Sequence, residues 1–405
     1  MTDVREITLL EAIKEAYREE MQRDESVYLL GISIQAGTFP HTTGLCEEFG
    51  PSRVVDAPLS ETGMFGCAFG SALEGMRPVV DFMYAGFSYY AGSEVFLQAG
   101  QFHFMHGSQF PVPLVMVGAC GLGRRVANEH ATLPYGALIH HPGIKVCMPS
   151  TPYDAKGLMK SAIRDNNPVF FLWHIGTIAL KGPVPAEEYL VPLGRADVKR
   201  AGRDVTLLTS GAQVHNCLAV AGRLEGEIDV EVVDARSFEP FDRDAMLQSI
   251  DKTSRLVIVD EDYERGGFAA EVAAQAMEHG YDLLDAPVKR VCHPHMPLPP
   301  AHADPRRLHG GLCRTDAGAD RGRDPRRLPL TESADDPRRH TAATGDGDVG
   351  WDHRRMGPGR RPARRARSAA VDPGDRKGRH RTAGAAFGAF CTSSRRPRSK
   401  SRSRR

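Results

Sequence analysis

Along the first 300 residues, apolar residues occur in two kinds of segment, those with the period of a helix and short runs typical of strands. Thr8 and Glu11 have capping-box spacing ahead of an apolar run of helical period, which predicts a helix over about 8–22. Short β-rich runs then alternate with helical segments, a pattern typical of a parallel sheet covered on both faces. The predicted strands are 27–31, 53–56, 77–83, 113–118, 144–149 and 168–173, and the predicted helices between them are 61–75, 89–105 and 152–165.

A second set of the same kind follows a connecting stretch. Residues 176–203 contain several prolines and a Gly-Pro pair, which favour turns and loops. The strands predicted after it are 204–210, 228–234, 254–260 and 288–292, and the helices are 213–225, 243–250 and 268–279. The fold class is therefore α/β, with two doubly wound domains over 1–180 and 181–300. Ligands in such sheets bind at the carboxyl ends of the strands.

Composition excludes several classes of protein. There is no run of about 18 apolar residues, which a membrane-spanning helix would need. The N-terminus is charged and has no apolar signal segment. The 8 cysteines are scattered and include no C-x-x-C pair, so neither a disulfide framework nor a structural zinc site is expected. We expect a cytoplasmic protein.

A candidate catalytic segment follows the predicted strand that ends at Asp56. It opens a helix in which Gly66 and Gly70 lie one turn apart, a spacing that allows close approach to the helix. Glu61 stands at the start of this helix, where the macrodipole favours a carboxylate. A helix-start carboxylate with no further role would have the same pattern.

The residues around this segment carry a resemblance to a known family. DAPLSETGMFGCAFGSALEGMRPVVDFMYAGF (56–87) and PGIKVCMPSTPYDAKGLMKSAIRDNNPVFFLWH (142–174) resemble the beta subunits of thiamine-diphosphate-dependent 2-oxoacid dehydrogenases, which include pyruvate, branched-chain and acetoin types. The resemblance extends from residue 5 to about 297. It implies a transketolase-like pyrimidine-binding domain followed by a transketolase C-terminal domain.

The resemblance also assigns residues to the cofactor. Glu61 matches the acidic residue that hydrogen-bonds the aminopyrimidine ring of thiamine diphosphate, so that the exocyclic nitrogen can act as a base. Leu59 belongs to the same motif and is implied to bind the cofactor. Phe87 matches the aromatic residue that packs on the pyrimidine, although a core aromatic would explain it equally well. The cofactor itself supplies the electron sink.

His130 matches a family histidine that faces the substrate and assists acyl transfer to lipoamide, and imidazole suits proton transfer near neutral pH. The chain departs from the family here, because Ala131-Thr132 stands where the family has Ser-Gln. Residues 104–109 also depart from the family pattern, and these two differences leave the identity of the oxo substrate open. A further departure, at 31–34, replaces two carboxylates of the family and would alter contacts with the partner subunit.

A loop before the strand at 168–173 matches a family loop that holds a structural monovalent cation. The implied K⁺ ligands are Ala162, Ile163, Asp165 and Asn167. A helix end turning into a strand would explain the same residues.

The resemblance implies partners as well. The chain lacks the G-D-G…N motif that holds Mg²⁺ and diphosphate in thiamine enzymes, and in the family that motif belongs to an alpha subunit. We therefore expect half an active site, an alpha₂beta₂ assembly with a second copy of this chain, and acyl transfer to lipoyl-lysine of an acyltransferase. The reaction would be oxidative decarboxylation or cleavage. The alternatives are a stand-alone half of a transketolase-like carbon–carbon ligase and a catalytically silent assembly subunit.

The composition changes after about Pro300. Residues 301–405 carry 25 Arg and 2 Lys against 12 Asp and Glu, a net charge of +15, whereas residues 1–300 carry −14. With so little apolar surface to bury, this tail should be disordered. An Arg-rich arm can bind nucleic acid. GC-rich DNA translated in the wrong frame gives the same composition.

Two back-translations favour the second explanation. Shifted by one base, 314–324 can read as an amphipathic helix, and 369–381 can read like the hairpin around the modified lysine of a lipoyl domain. We therefore expect that a frameshift after about residue 300 has replaced the native C-terminus. Nucleic acid is then not an expected partner.

Overall fold

The structure is a computed structural model and describes residues 4–122 and 127–295. The tail predicted to be disordered and frameshifted, 301–405, lies outside the described residues. Within 4–122 and 127–295, no helix is both long enough and apolar enough to cross a bilayer.

Strands and helices alternate through most of the described chain. The strands are β1 (Val4–Thr8), β2 (Val27–Gly31), β3 (Val54–Asp56), β4 (Arg77–Tyr84), β5 (Val115–Cys120), β6 (Lys145–Cys147), β7 (Val169–His174), β8 (Lys181–Pro185), β9 (Asp197–Arg200), β10 (Val205–Thr209), β11 (Val230–Asp234), β12 (Ser237–Glu239), β13 (Leu256–Tyr263) and β14 (Lys289–His293). The α-helices are α1 (Leu9–Arg23), α2 (Leu45–Phe49), α3 (Glu61–Leu73), α4 (Gly100–Met105), α5 (Ala127–Ala131), α6 (Tyr135–His140), α7 (Pro152–Arg164), α8 (Gln213–Arg223), α9 (Arg243–Thr253) and α10 (Phe268–Gly280). Shorter 3₁₀ helices cover Ala85–Ala91, Ile175–Thr177 and Tyr281–Leu283, and a π-helix covers Ser93–Ala99.

Two sheets form the two α/β layers that the pattern predicted. The first has seven strands in the order β12-β6-β7-β5-β4-β2-β3, and all its pairs are parallel except β12 with β6. The second has five strands in the order β14-β13-β10-β11-β9 and is parallel except for β9. Strand β12 follows β11 of the second sheet in the chain but joins the first sheet, which ties the two layers together.

Helix α1 begins with the predicted capping box. The Thr8 side chain accepts the backbone N–H of Glu11 at 3.2 Å, and the Glu11 carboxylate accepts the backbone N–H of Thr8 at 2.7 Å. The helix packs on α7, where the buried ammonium groups of Lys156 and Lys160 each pair with Glu19 at 2.6 Å. These pairs give two buried charges the partners that burial requires.

The connecting stretch 176–203 contains two strands that the sequence did not predict. Its Gly and Pro residues favour a loop, yet Pro183 and Pro185 lie in β8, which pairs with β1 in a two-stranded ribbon. An edge strand tolerates proline because one side of its backbone needs no ladder hydrogen bond. Since β8 pairs with the N-terminal β1, we propose that the domain boundary lies between β8 and β9.

The helix predicted over 89–105 is three different segments. The chain turns through the 3₁₀ helix Ala85–Ala91, then the π-helix Ser93–Ala99, and then α4. Gly92 and Gly100 stand at the two junctions. Glycine weakens an α-helix, which explains why the apolar spacing there overestimated its regularity.

Candidate active site

Glu61 is the first residue of α3, immediately beyond the carboxyl end of β3. The backbone N–H of Ala57 donates to Gly31 at 2.7 Å, which holds the connecting loop against the end of β2. The Glu61 side chain is partly buried, and among the described residues its carboxylate makes no hydrogen bond or ion pair. The structure thus places a carboxylate with free acceptor capacity where ligands bind in parallel sheets.

Phe87 lies on the segment that packs against the start of α3. The Thr62 hydroxyl donates to the carbonyl of Tyr90 at 2.7 Å and so joins α3 to the 3₁₀ helix Ala85–Ala91. Phe87 is partly buried, with its ring centroid 5.6 Å from that of Tyr84 and 6.2 Å from that of Tyr90. It belongs to an aromatic cluster on the segment that Thr62 joins to the start of α3, the helix that begins at Glu61.

His130 joins the same cluster from α5. Its ring stands edge-on to Tyr84, with centroids 4.6 Å apart and an interplanar angle of 86°, and lies 5.4 Å from the ring of Phe87. Gly86 makes this approach possible, because a Cβ there would lie 3.0 Å from the Cβ of Thr132 and 3.1 Å from the carbonyl oxygen of Glu129. The structure therefore brings Phe87 and His130 into contact.

Leu59 lies in the loop just before Glu61. Its side chain is 81% exposed, so this chain alone leaves it uncovered. Its position next to Glu61 agrees with the motif, but its side chain is not part of the aromatic cluster.

A buried pair that the sequence did not reveal supports the turn before Phe87. Met83 has a left-handed backbone with φ of 67°, unusual for a residue with a side chain. The Asp81 carboxylate accepts the backbone N–H of Met83 at 2.7 Å, and its other oxygen bonds Nε2 of His41 at 2.8 Å. Nothing in the local sequence signals this turn.

A group of residues around the Glu261 carboxylate connects the two sheets. It was not identified from the sequence. This carboxylate accepts hydrogen bonds from Nε2 of His174 at 2.6 Å, from the amide of Gln213 at 2.5 Å and from the backbone N–H of Leu122 at 3.1 Å. Burial opposes its ionisation, but the His174 ring and the three donors outweigh burial and lower the pKa of Glu261. The group is a buried carboxylate with a full set of donors.

The neighbours of Glu261 are also buried carboxyl groups. Asp260 accepts the hydroxyl proton of Tyr135, and Asp262 packs against Gly136, where a Cβ would lie 2.8 Å from its Oδ2. Burial and the charge of Asp260 raise the pKa of Asp262 to about 7. The signal in the sequence was an Asp-Glu-Asp run at the carboxyl end of a predicted strand, where binding residues concentrate.

The loop predicted to hold K⁺ already contains a positive charge. One guanidinium nitrogen of Arg77 donates to the carbonyls of Ile163 and Asp165, each at 3.0 Å, and the other donates to the side-chain oxygen of Asn166 at 2.6 Å. The Asp165 carboxylate bonds Lys145 and the backbone N–H of Asn167. Two of the four predicted ligand residues thus have carbonyls that serve Arg77, and the loop does not fit a cation in this arrangement.

A cavity of about 490 Å³ lies where α6 meets α10 and β12. Its walls combine Phe238, Phe241 and Phe268 with the acidic Glu239 and Glu271. It does not include Glu61, Phe87 or His130, so it is separate from the aromatic cluster. Within 4–122 and 127–295, no group of three His, Cys, Asp or Glu side chains is placed to hold a metal ion.

Family models and a solved structure identify the architecture. Residues 5–177 match the model of the transketolase pyrimidine binding domain, and residues 194–310 match that of the transketolase C-terminal domain. A split-gene transketolase, solved as an inactive beta4 tetramer, superposes with a TM-score of 0.63 at 21% sequence identity, covering 76% of this chain and 95% of that chain. The class is therefore a two-domain transketolase-like protein.

Curated relatives identify the family within that class. The chain is 41% identical over 310 residues to the beta subunit of acetoin:2,6-dichlorophenolindophenol oxidoreductase of Bacillus subtilis, covering 73% of this chain and 91% of the relative. It is 41% identical over 303 residues to the beta subunit of the pyruvate dehydrogenase E1 component of the same organism, covering 74% and 93%. It is 40% identical over 298 residues to that organism's 2-oxoisovalerate dehydrogenase subunit beta, covering 73% and 91%. The chain belongs to this family of dehydrogenase beta subunits.

Proposed function

We propose that this chain is the beta subunit of a thiamine-diphosphate-dependent 2-oxoacid or acetoin dehydrogenase. With an alpha subunit it would carry out oxidative decarboxylation, or cleavage of acetoin, and pass the acyl group to lipoyl-lysine of an acyltransferase. The observation that carries the proposal is the Glu61 carboxylate, which has no hydrogen-bond or ion-pair partner among the described residues and begins the helix that Thr62 joins to the segment of Phe87 and His130. The family membership supports the reaction class.

Glu61 would hold the pyrimidine ring of the cofactor. A carboxylate at the ring nitrogen favours the tautomer whose exocyclic nitrogen accepts a proton. Phe87 would form an apolar wall beside it, which strengthens a hydrogen bond by excluding water. Thiamine diphosphate, when bound, supplies the carbon nucleophile and the electron sink.

His130 would act on the substrate side of the cluster. Its edge-on contacts with Tyr84 and Phe87 orient the ring, and an oriented imidazole can give or take a proton near neutral pH. We assign it the proton transfer that accompanies acyl transfer to the lipoyl group.

An alpha subunit would complete the site by holding Mg²⁺ and the diphosphate. The surface beside Glu61 is open enough to receive another subunit, because Leu59 and Tyr90 are 81% and 66% exposed. A Cβ added at Gly66 or Gly70 of α3 would meet nothing within 4 Å, so a partner could lie close to this helix. We propose an alpha₂beta₂ assembly that includes a second copy of this chain.

The test is an artificial-acceptor assay with the co-expressed cognate alpha subunit, thiamine diphosphate and Mg²⁺. A panel of pyruvate, branched-chain 2-oxoacids and acetoin identifies the substrate by its rate. Thiamine-dependent turnover of one of them supports the proposal. Subunits that pair without turning over any of them would instead indicate a silent assembly subunit.

A further inference from the structure

Three consecutive carboxyl groups of the second sheet hold both ends of the segment that carries His130. We call Asp260, Glu261 and Asp262 the carboxylate triplet; their side chains are 3%, 8% and 5% exposed. They stand near the carboxyl end of β13. His130 lies on the first domain, so the contacts cross between the two layers.

The N-terminal end of the segment is held by Glu261. The backbone N–H of Leu122 donates to Oε2 of Glu261 at 3.1 Å, the same oxygen that Nε2 of His174 reaches at 2.6 Å. The Nδ1 atom of His174 accepts the backbone N–H of Gly176 at 3.0 Å, so the ring proton is on Nε2 and points at Glu261. The acceptor for Leu122 is therefore itself fixed.

Gly121 shows how closely this end is packed. Its φ is +102°, and a Cβ there would lie 2.0 Å from Nε2 of His174. A glycine is needed both for the backbone conformation and for the space.

The C-terminal end of the segment is held by the other two groups. The Tyr135 hydroxyl donates to Asp260, and Gly136 packs against Asp262 so closely that a Cβ there would lie 2.8 Å from Oδ2. Asp260 is held in turn by the backbone N–H groups of Asp262 at 3.1 Å and Ala269 at 3.2 Å. The Tyr135 ring also stacks on Phe238 of the second domain, with centroids 4.3 Å apart.

We propose that the carboxylate triplet is the positioning element of His130, fixing the ends of its segment so that the imidazole stays against Tyr84 and Phe87. This inference rests on the role proposed above for His130. The physical reason is preorganisation: a catalytic group held before the reaction does not lose conformational freedom during it, and a misplacement of 1 Å can cost about 100-fold in rate.

The test compares variants that remove one contact each in the alpha₂beta₂ assembly. Tyr135→Phe deletes one hydroxyl at one end and keeps the ring stacked, and Glu261→Gln weakens the other end. Ser150→Ala is the matched control, because the buried Ser150 hydroxyl likewise donates to a carboxylate of the second domain, Asp234, away from the His130 segment. His130→Ala reports what loss of the imidazole does.

The readout is the rate with a lipoyl domain as acceptor divided by the rate with an artificial acceptor. We expect Tyr135→Phe and Glu261→Gln to lower this ratio by about tenfold, within the range expected for a misplaced catalytic group. Ser150→Ala should leave the ratio unchanged even where it lowers the melting temperature. The proposal would be overturned if the ratio were unchanged in both Tyr135→Phe and Glu261→Gln but lowered in His130→Ala.

A second measurement distinguishes an error in the positioning role of the carboxylate triplet from an error in the role assigned to His130. If His130→Ala leaves the ratio unchanged, the assigned role of His130 is wrong. Hydrogen exchange of peptides covering 127–140 then tests whether the carboxylate triplet fixes this segment. Faster exchange of these peptides in Tyr135→Phe and Glu261→Gln, but not in Ser150→Ala, supports the positioning role of the triplet. Exchange equal to wild type in both Tyr135→Phe and Glu261→Gln refutes that role.

Discussion

His174 donates its Nε2 proton to Glu261 at 2.6 Å, although His174 ends β7 of the first sheet and Glu261 lies near the end of β13 in the second. The pair has no local sequence signature, since 87 positions separate its members. It fixes one end of the segment that leads to His130. Gly121 packs closely against the His174 ring of this pair.

Gly121→Ala should disrupt this pair. The new Cβ would lie 2.0 Å from Nε2 of His174 and must displace the ring. Gly44→Ala is the control, because Gly44 also has a positive φ, +84°, but a Cβ there meets nothing within 4 Å. We expect about 1–2 kcal/mol of backbone strain in both variants and about 1–3 kcal/mol more in Gly121→Ala from the broken buried hydrogen bond. Urea unfolding measures the difference, and equal losses would contradict this account.

Phe87→Ala should weaken binding of thiamine diphosphate to the assembly. Aromatic contacts contribute about 0.5–1.5 kcal/mol beyond the area they bury, which corresponds to roughly a twofold to tenfold increase in Kd. Phe104→Ala is the control, because that ring is 85% exposed. Cofactor titration by fluorescence quenching gives both Kd values. If the two variants bind alike, Phe87 is a packing residue only.

The dependence of stability on pH should change in Asp262→Asn. Burial, followed by the charge of Asp260, raises the pKa of Asp262 from 3.8 to about 7, and Tyr89 and Tyr263 also face this group. Between about pH 4 and 7 the folded protein therefore holds a proton that the unfolded chain has lost. The contribution of Asp262 to stability falls as pH rises through this window, by at most about 1.4 kcal/mol per pH unit.

Asp262→Asn removes this loss because an amide does not ionise, and its oxygen can still accept the backbone N–H of Tyr263. We expect the variant to gain stability over wild type at pH 8 and little at pH 4, as measured by chemical unfolding. Asp282→Asn, outside the buried group, should not change the slope. A variant that follows the wild-type pH profile would show that Asp262 does not titrate in this window.

Arg77→Met should make the loop 161–167 sensitive to potassium. The guanidinium now serves the carbonyls of Ile163 and Asp165, and its removal leaves oxygen atoms that a monovalent cation could use. We expect the melting temperature of wild type to be equal in KCl and in tetramethylammonium chloride, and that of Arg77→Met to be higher in KCl. Potassium stabilisation of the wild-type protein would show that the ion binds beside Arg77.

The sequence predicted elements where a local pattern was decisive. The capping box of Thr8 and Glu11 and the apolar run 27–31 gave α1 and β2 to within a residue. Strands β1, β8, β9 and β12 were missed because each depends on a distant partner for its pairing. Propensity does not contain that information.

The candidate site divides in the same way. Glu61 and Phe87 stand out through a motif that is continuous in the chain. The His41–Asp81 pair and the bonds from Leu122 and Tyr135 to the carboxylate triplet join residues 40 to 139 positions apart. Such contacts follow from the tertiary fold, and only the Asp-Glu-Asp run at the end of β13 hinted at them.

The central claim is that the Glu61 carboxylate activates thiamine diphosphate. The most direct measurement is release of CO₂ from the preferred 2-oxoacid, or of acetaldehyde from acetoin, by the alpha₂beta₂ assembly carrying Glu61→Gln. Glu74→Gln is the control, since Glu74 is exposed at the other end of the same helix. We predict that Glu61→Gln lowers turnover by at least about 100-fold, as expected for loss of an acid–base partner, while Glu74→Gln matches wild type. Turnover near wild type in Glu61→Gln, with the subunits paired, would contradict the claim.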